Sequence, residues 1–152
     1  MIIRHMTVED VPQVVQIDQA SFTLPWTERS FHYEVTGNNA SRCWVVETEN
    51  REVAAMLVLW LIVDEAHIAT IATHPEYRRR GYAKAMLVEA LRSAREEGAV
   101  SALLEVRAHH SVAQKIYHDL GFVDVGRRAS YYRDNGEDAI LMTLNPIAGD
   151  WL

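Results

Sequence analysis

The chain has 152 residues, 49% of them apolar, a formal net charge of −6 and a single cysteine, Cys43. A chain of this length predicts one domain, residues 1–152, with a core of its own. The acidic balance argues against nucleic-acid binding, which calls for a basic surface; the lone cysteine excludes an internal disulfide; and the longest apolar run, residues 53–63, is too short to cross a membrane.

Residues 2–6 read as a short first strand and turn polar too early for a secretory signal. With the single thiol, this predicts a cytoplasmic protein. Thr7 or Asp10 caps the next helix, with Pro12 near its start and Val8, Val11, Val15 and Ala20 turned inward. Leu24, Pro25 and Trp26 form a loop, and Thr27 caps a short second helix that carries Phe31. Strands at 43–48 and 52–63 flank a polar turn, Glu49-Asn50-Arg51, and a third strand covers 65–73. Beyond Gly81, apolar residues at Ala83, Met86, Leu87, Ala90, Leu91 and Ala94 define one helical face, and Gly98 ends it. Residues 101–106 read as another strand. Ser111 caps a helix bearing Val112, Ala113, Ile116, Tyr117 and Leu120, and Gly121 closes it. A strand starts over 122–126, Asn135-Gly136 signals a hairpin turn, and 138–144 is the returning strand. The order β-α-α-β-β-β-α-β-α-β-β predicts an α/β fold (α+β in some schemes), a mixed sheet with helices on both faces.

The densest chemical signal lies at 70–83, Thr-Ile-Ala-Thr-His-Pro-Glu-Tyr-Arg-Arg-Arg-Gly-Tyr-Ala. Free N–H groups at a helix start, a residue without a side chain and local positive charge make a cradle for a diphosphate. The donors are the peptide groups of Arg79, Arg80, Gly81, Tyr82, Ala83 and Lys84, and Gly81 lets backbone approach a phosphate. The Gly-x-x-x-x-Gly-Lys-Ser/Thr pattern of a nucleotide P-loop is absent. Upstream, Ile71, Ala72 and Thr73 read as a core strand. Should that strand part from its neighbour, its peptide groups need new partners, which an amide-bearing ligand supplies like an added strand.

Glu105 lies in an otherwise apolar strand, where a carboxylate is costly without a partner. Apolar surroundings predict a raised pKa, suited to a general base; the alternative is an ion pair with Arg107, two residues along on the same face. Tyr117 shares a helical stripe with Ala113 and Leu120. Its phenol either reaches an open edge of the sheet, as a proton donor, or packs in the core. Leu24, Pro25 and Trp26, and likewise Tyr131 and Tyr132, set bulky groups in loops, where they wall a peptide groove; alternatively Trp26 staples the second helix. No metal site is predicted, because His-Glu-x-x-His and cysteine-ligand spacings are absent. Cys43, in an apolar strand with no paired base, is not predicted to be a nucleophile.

The Arg-x-x-Gly-x-Ala pattern of Arg78, Gly81 and Ala83 resembles the acetyl-CoA signature of the GNAT N-acetyltransferases. Further landmarks resemble the RimI-type ribosomal-protein alanine N-acetyltransferases. They are Pro25-Trp26-Thr27-Glu28-Arg29-Ser30-Phe31, the run from Asp64-Glu65-Ala66 to Lys84, Leu104-Glu105-Val106-Arg107 with Ile116-Tyr117 and Leu120-Gly121-Phe122, and Tyr131-Tyr132 with Gly136-Glu137-Asp138-Ala139. The resemblance spans nearly the whole chain. It implies a mixed, mostly antiparallel central sheet, acetyl-CoA as co-substrate, no metal, and acetyl transfer to a protein N-terminal α-amine, with ribosomal protein S18 as the implied partner. It implies Ile71, Ala72 and Thr73 on the pantetheine arm, Arg79 to Lys84 on the pyrophosphate, Glu105 as general base and Tyr117 as general acid. Family members usually carry asparagine five residues after that glutamate; here His110 stands there, a donor toward the same cofactor. Two alternatives stay open: a lysine or small-amine acetyltransferase of this fold, and a non-catalytic acyl-CoA-binding regulator. The sequence carries no signal for oligomeric state.

Overall fold

The computed structural model describes all residues, Met1–Leu152. In chain order the elements are β1 (Ile2–His5), α1 (Val11–Ser21), α2 (Glu28–Thr36), β2 (Ser41–Glu47), β3 (Val53–Ile62), β4 (Glu65–Thr73), α3 (Tyr82–Glu96), β5 (Ser101–Arg107), α4 (Ser111–Asp119), β6 (Val123–Arg128) and β7 (Ala139–Leu144). The strands form one seven-stranded sheet in the order β1-β2-β3-β4-β5-β7-β6. Every neighbouring pair is antiparallel except β4 and β5. The mixed, mostly antiparallel sheet predicted from sequence is therefore the one observed.

The sheet separates two apolar clusters. On one face Val11, Val14 and Ile17 of α1 and Phe31 of α2 pack on Cys43, Val45, Met56 and Val58. On the other, Met86, Leu87, Ala90 and Leu91 of α3, Tyr117 of α4 and Leu120 just beyond it pack on Trp44, Val46, Leu57, Leu104 and Val106. Alternate residues of β2 and β3 thus serve opposite cores, which is why the run 53–63 reads as continuously apolar. No helix is long and apolar enough to cross a membrane.

Three local readings need correction. The buried face of α1 is Val11, Val14, Ile17 and Asp18, whereas Val8 and Ala20 are exposed and Val15 is half-buried. Val8 lies in a separate 3₁₀ turn (Val8–Asp10), so the helical count starts at Val11, beside Pro12. Asp10 does not cap α1 with its side chain; it turns back to accept from the Thr7 N–H (2.8 Å) and from Arg4. At α4, His110 holds the cap position and Ser111 is already helical, while Val112 is exposed. Gln114 secures that turn by donating to the carbonyls of Arg107 (2.9 Å) and Ala108 (3.0 Å). The Thr27 cap is as predicted, its hydroxyl accepting from the Ser30 N–H at 3.0 Å. Asn135-Gly136 turns the chain within a longer β6–β7 loop, residues 129–138, because ladder pairing ends at Arg128–Ala139.

Candidate active site

Strands β4 and β5 pair only over Glu65–Ser101, Ala66–Ala102 and His67–Leu103. Past that point β4 stays paired to β3 as far as Thr73, and β5 stays paired to β7 as far as Arg107. The sheet therefore opens into a slot between two strands that are each anchored on the far side. The orientation of the slot's peptide groups follows from register. The His74 N–H donates to the Ala54 carbonyl at 2.8 Å, and bonded pairs alternate along an antiparallel ladder. Ala72 accordingly bonds toward β3, while Ile71 and Thr73 turn their peptide groups to the slot. The Thr73 carbonyl, which accepts from Arg78 Nε at 3.2 Å, fits that assignment.

The turn beyond β4 makes the cradle. Arg79 and Gly81 have positive φ, 66° and 79°. This left-handed backbone is what demands glycine at 81, the cap of α3, and a Cβ there would project into open space. No backbone N–H from Arg78 to Lys84 has an acceptor within the protein. Arg79, Arg80 and Lys84 make no ion pair; Arg80 lies over the Tyr77 ring, 5.3 Å from its centroid. A row of free donors with uncompensated cations fits a diphosphate.

Glu105 stands two residues past the last paired position on β5. Since Ala102, Leu104 and Val106 face the α3/α4 core, Glu105 faces the α1/α2 side. Its partner there is His67 of β4, with Nε2 to Oε2 at 3.4 Å. The sequence expectation of a raised pKa is overturned. The hydrogen bond from His67 outweighs burial and holds the Glu105 carboxyl below its ordinary value. Arg107 is not its partner either; that guanidinium binds Asp134 (2.8 Å) and Glu137 (3.2 Å).

Tyr117 approaches from the opposite core. It is buried against Phe122, and burial pushes its phenol well above the ordinary range. Among sealed side-chain polar atoms, the one without a partner is Asp18 Oδ1. The Tyr117 hydroxyl also lacks a protein partner but is not sealed, so it reaches open space. Glu105 and Tyr117 thus lie on opposite faces of the sheet, the carboxylate on the α1/α2 side and the phenol within the α3/α4 core.

The two predicted loops meet on the Glu105 side. Trp26 stacks on Trp60, centroids 6.3 Å apart, and packs on Phe31 at 5.3 Å, so it both staples α2 and lines the surface; Leu24 and Pro25 are exposed. Tyr132 lies under the Arg107 guanidinium at 4.0 Å and against Tyr131 at 5.1 Å; burial pushes its phenol up to about 12. Thr23 donates to Asp134, joining the α1–α2 loop to the β6–β7 loop. An open cleft of about 430 Å³ lies beside Trp26 and Trp60, lined also by Tyr33 and Glu34 of α2. His110 is solvent-exposed at the cap of α4; desolvation by its neighbours, first, and the charges of Arg78 and Arg107 lower its pKa, against Glu137, which raises it. No group of three or more His, Cys, Asp or Glu side chains is arranged to hold a metal ion. Sequence reasoning missed His67, Trp60 and Asp18. A histidine between Ala66 and Ile68 in a strand was the available signal for the first.

The model of the acetyltransferase (GNAT) family matches residues 11–122. A Bacillus subtilis (strain 168) relative, provisionally named as a [ribosomal protein bS18]-alanine N-acetyltransferase, is 37% identical over 145 residues, covering 94% of this chain and 95% of its own. The [ribosomal protein bS18]-alanine N-acetyltransferase of Escherichia coli (strain K12) is 33% identical over 149 residues, 96% of this chain and 97% of that protein. The crystal structure of the ribosomal-protein-S18-alanine N-acetyltransferase from Escherichia coli superposes with a TM-score of 0.87 at 30% identity, covering 99% and 97% of the two chains. The chain belongs to the GNAT acetyltransferase family, and it is an N-acetyltransferase that uses acetyl-CoA.

Proposed function

We propose that this enzyme acetylates the α-amine of a protein N-terminus, with an S18-like N-terminal alanine as its substrate. The observation that carries the reading is the slot between β4 and β5, flanked by a donor-rich cradle at one end and by Glu105 and the clasped aromatic loops on one face. The named activity of the Escherichia coli relative, matched over nearly its whole length, supports the same substrate class.

Acetyl-CoA supplies the activated acetyl thioester. The N–H groups of Arg79 to Lys84, with the arginine side chains, hold its diphosphate, and His110 at the cap of α4 is assigned a contact to the same cofactor. Peptide groups of Ile71 and Thr73 hold the amide-bearing arm in the slot; Ala72 contributes a small side chain and a bond to β3, not a free amide. Leu24, Pro25, Trp26, Tyr131 and Tyr132 border the path of the peptide. Glu105, through an intervening water, takes the proton that leaves the amine nitrogen as it bonds to the acetyl carbon. Tyr117 gives its proton to the departing sulfur.

The depressed pKa of Glu105 bears on which amine is used. A weakly basic carboxylate cannot strip an ammonium of pKa near 10.4, but it can collect a proton from an amine that is already neutral. At neutral pH roughly one α-amine in ten is neutral, against fewer than one lysine in a thousand. The alternatives of lysine and small amines draw no comparable support.

The test mixes protein, acetyl-CoA and peptides beginning with alanine, against lysine peptides and polyamines, with product read by mass. Alanine-initiated peptides should be modified at the α-amine only. Glu105→Gln and Tyr117→Phe should each lower kcat by about 100-fold while leaving acetyl-CoA affinity within twofold. Full rates in both variants, or preference for lysine, would overturn the reading.

A further inference from the structure

We propose that His67 is the positioning partner of Glu105, so that the base of this enzyme is a histidine–glutamate pair spanning the two strands that part. The inference rests on the role of Glu105 given above. His67 and Leu103 form the last paired rung before the slot opens, and Glu105 is the next side chain of β5 on that face. The imidazole therefore sits at the vertex of the opening, with its Nε2 3.4 Å from Glu105 Oε2. Its other side is fixed by Trp60, edge-on at 5.7 Å, and Trp60 is pinned in turn by its indole N–H donating to buried Glu34 at 3.1 Å.

This chain of contacts ties the carboxylate to the substrate loop. Trp26 stacks on Trp60, Trp60 backs His67, and His67 holds Glu105. A 3.4 Å separation is long for a hydrogen bond, yet contacts of this kind tighten when reactants close the site. Around Glu105 stand His67 on β4, Arg128 on β6 and Tyr132 in the β6–β7 loop. Arg128 acts at longer range than His67. The imidazole is thus the main group that lowers the carboxylate's pKa and aims it at the slot, against burial, which raises it.

The test is a comparison of His67→Leu and His67→Gln with the parent and with Glu105→Gln. The readouts are kcat, both KM values, acetyl-CoA affinity by calorimetry, and the titration midpoint of the Glu105 carboxyl carbon by NMR. His67→Leu should raise that midpoint and lower kcat about tenfold, with KM values and acetyl-CoA affinity within twofold. His67→Gln keeps a donor but loses the titratable ring, and should fall between His67→Leu and the parent in both midpoint and rate. An unmoved midpoint in both variants, or a parental kcat in both, overturns the inference. If Glu105→Gln also keeps full rate, the assignment of Glu105 fails; if Glu105→Gln is inactive while both His67 variants are normal, only the pairing fails.

Discussion

Two buried aspartates on the α1/α2 side respond to their surroundings in opposite ways. Asp10 is ionised: burial opposes its charge, but the two-pronged contact with Arg4 (2.7 and 2.9 Å) and the Thr7 N–H outweigh it. Asp18 has a single partner, the Trp26 N–H at 2.6 Å, and its Oδ1 has none, so burial pushes its pKa up to about 6. The unfolded chain ionises Asp18 near 3.9. Between pH 4 and 6 the folded state therefore holds more protons than the unfolded state, and stability falls as pH rises through that window. The loss amounts to about 2 kcal/mol from this group. Measured by denaturant unfolding from pH 4 to pH 7, Asp18→Asn, which retains an acceptor for Trp26, should lack this contribution, so that the difference in stability between parent and variant falls by about 2 kcal/mol as pH rises.

At the level of elements, the β4–α3 connection depends on one residue. Gly81 occupies left-handed backbone at the cap of α3, and a side chain there would project into open space, which the proposed function assigns to the diphosphate. Gly81→Ala incurs about 1 kcal/mol of backbone strain and places a methyl where a phosphate would approach. Calorimetry should record acetyl-CoA binding weakened about tenfold, with the melting temperature lowered only slightly. That α3 begins here was legible, since three arginines and a glycine precede an unbroken stripe of Met86, Leu87, Ala90, Leu91 and Ala94. The stripe of α1 was misread because the 3₁₀ turn at Val8–Asp10 shifts the helical count. Local periodicity does not reveal such an offset; only the backbone path does.

Across the whole molecule, the order of elements along the chain and a mixed sheet covered by helices on both faces were readable from alternation and from the central crossover. The parting of β4 from β5 was not, because it depends on what each strand pairs with on its other side. The partner of Glu105 was hidden for the same reason: His67 is remote in sequence and meets it only through the last β4–β5 rung. Arg107, the nearer cation, is instead committed to a long-range clasp. It binds Asp134 and Glu137, covers Tyr132, and through Asp134 reaches Thr23 of the other loop. Arg107→Ala should free both loops, raising KM for the peptide about tenfold while acetyl-CoA affinity stays unchanged. Steady-state kinetics with each substrate varied in turn will measure the split.

The slot also has a logistical meaning. Its two walls are each braced from outside, β4 by β3 and β5 by β7, so whatever enters between them need not hold the sheet together. Under the proposed function, a guest strand can therefore come and go at each turnover without loosening the frame that receives it.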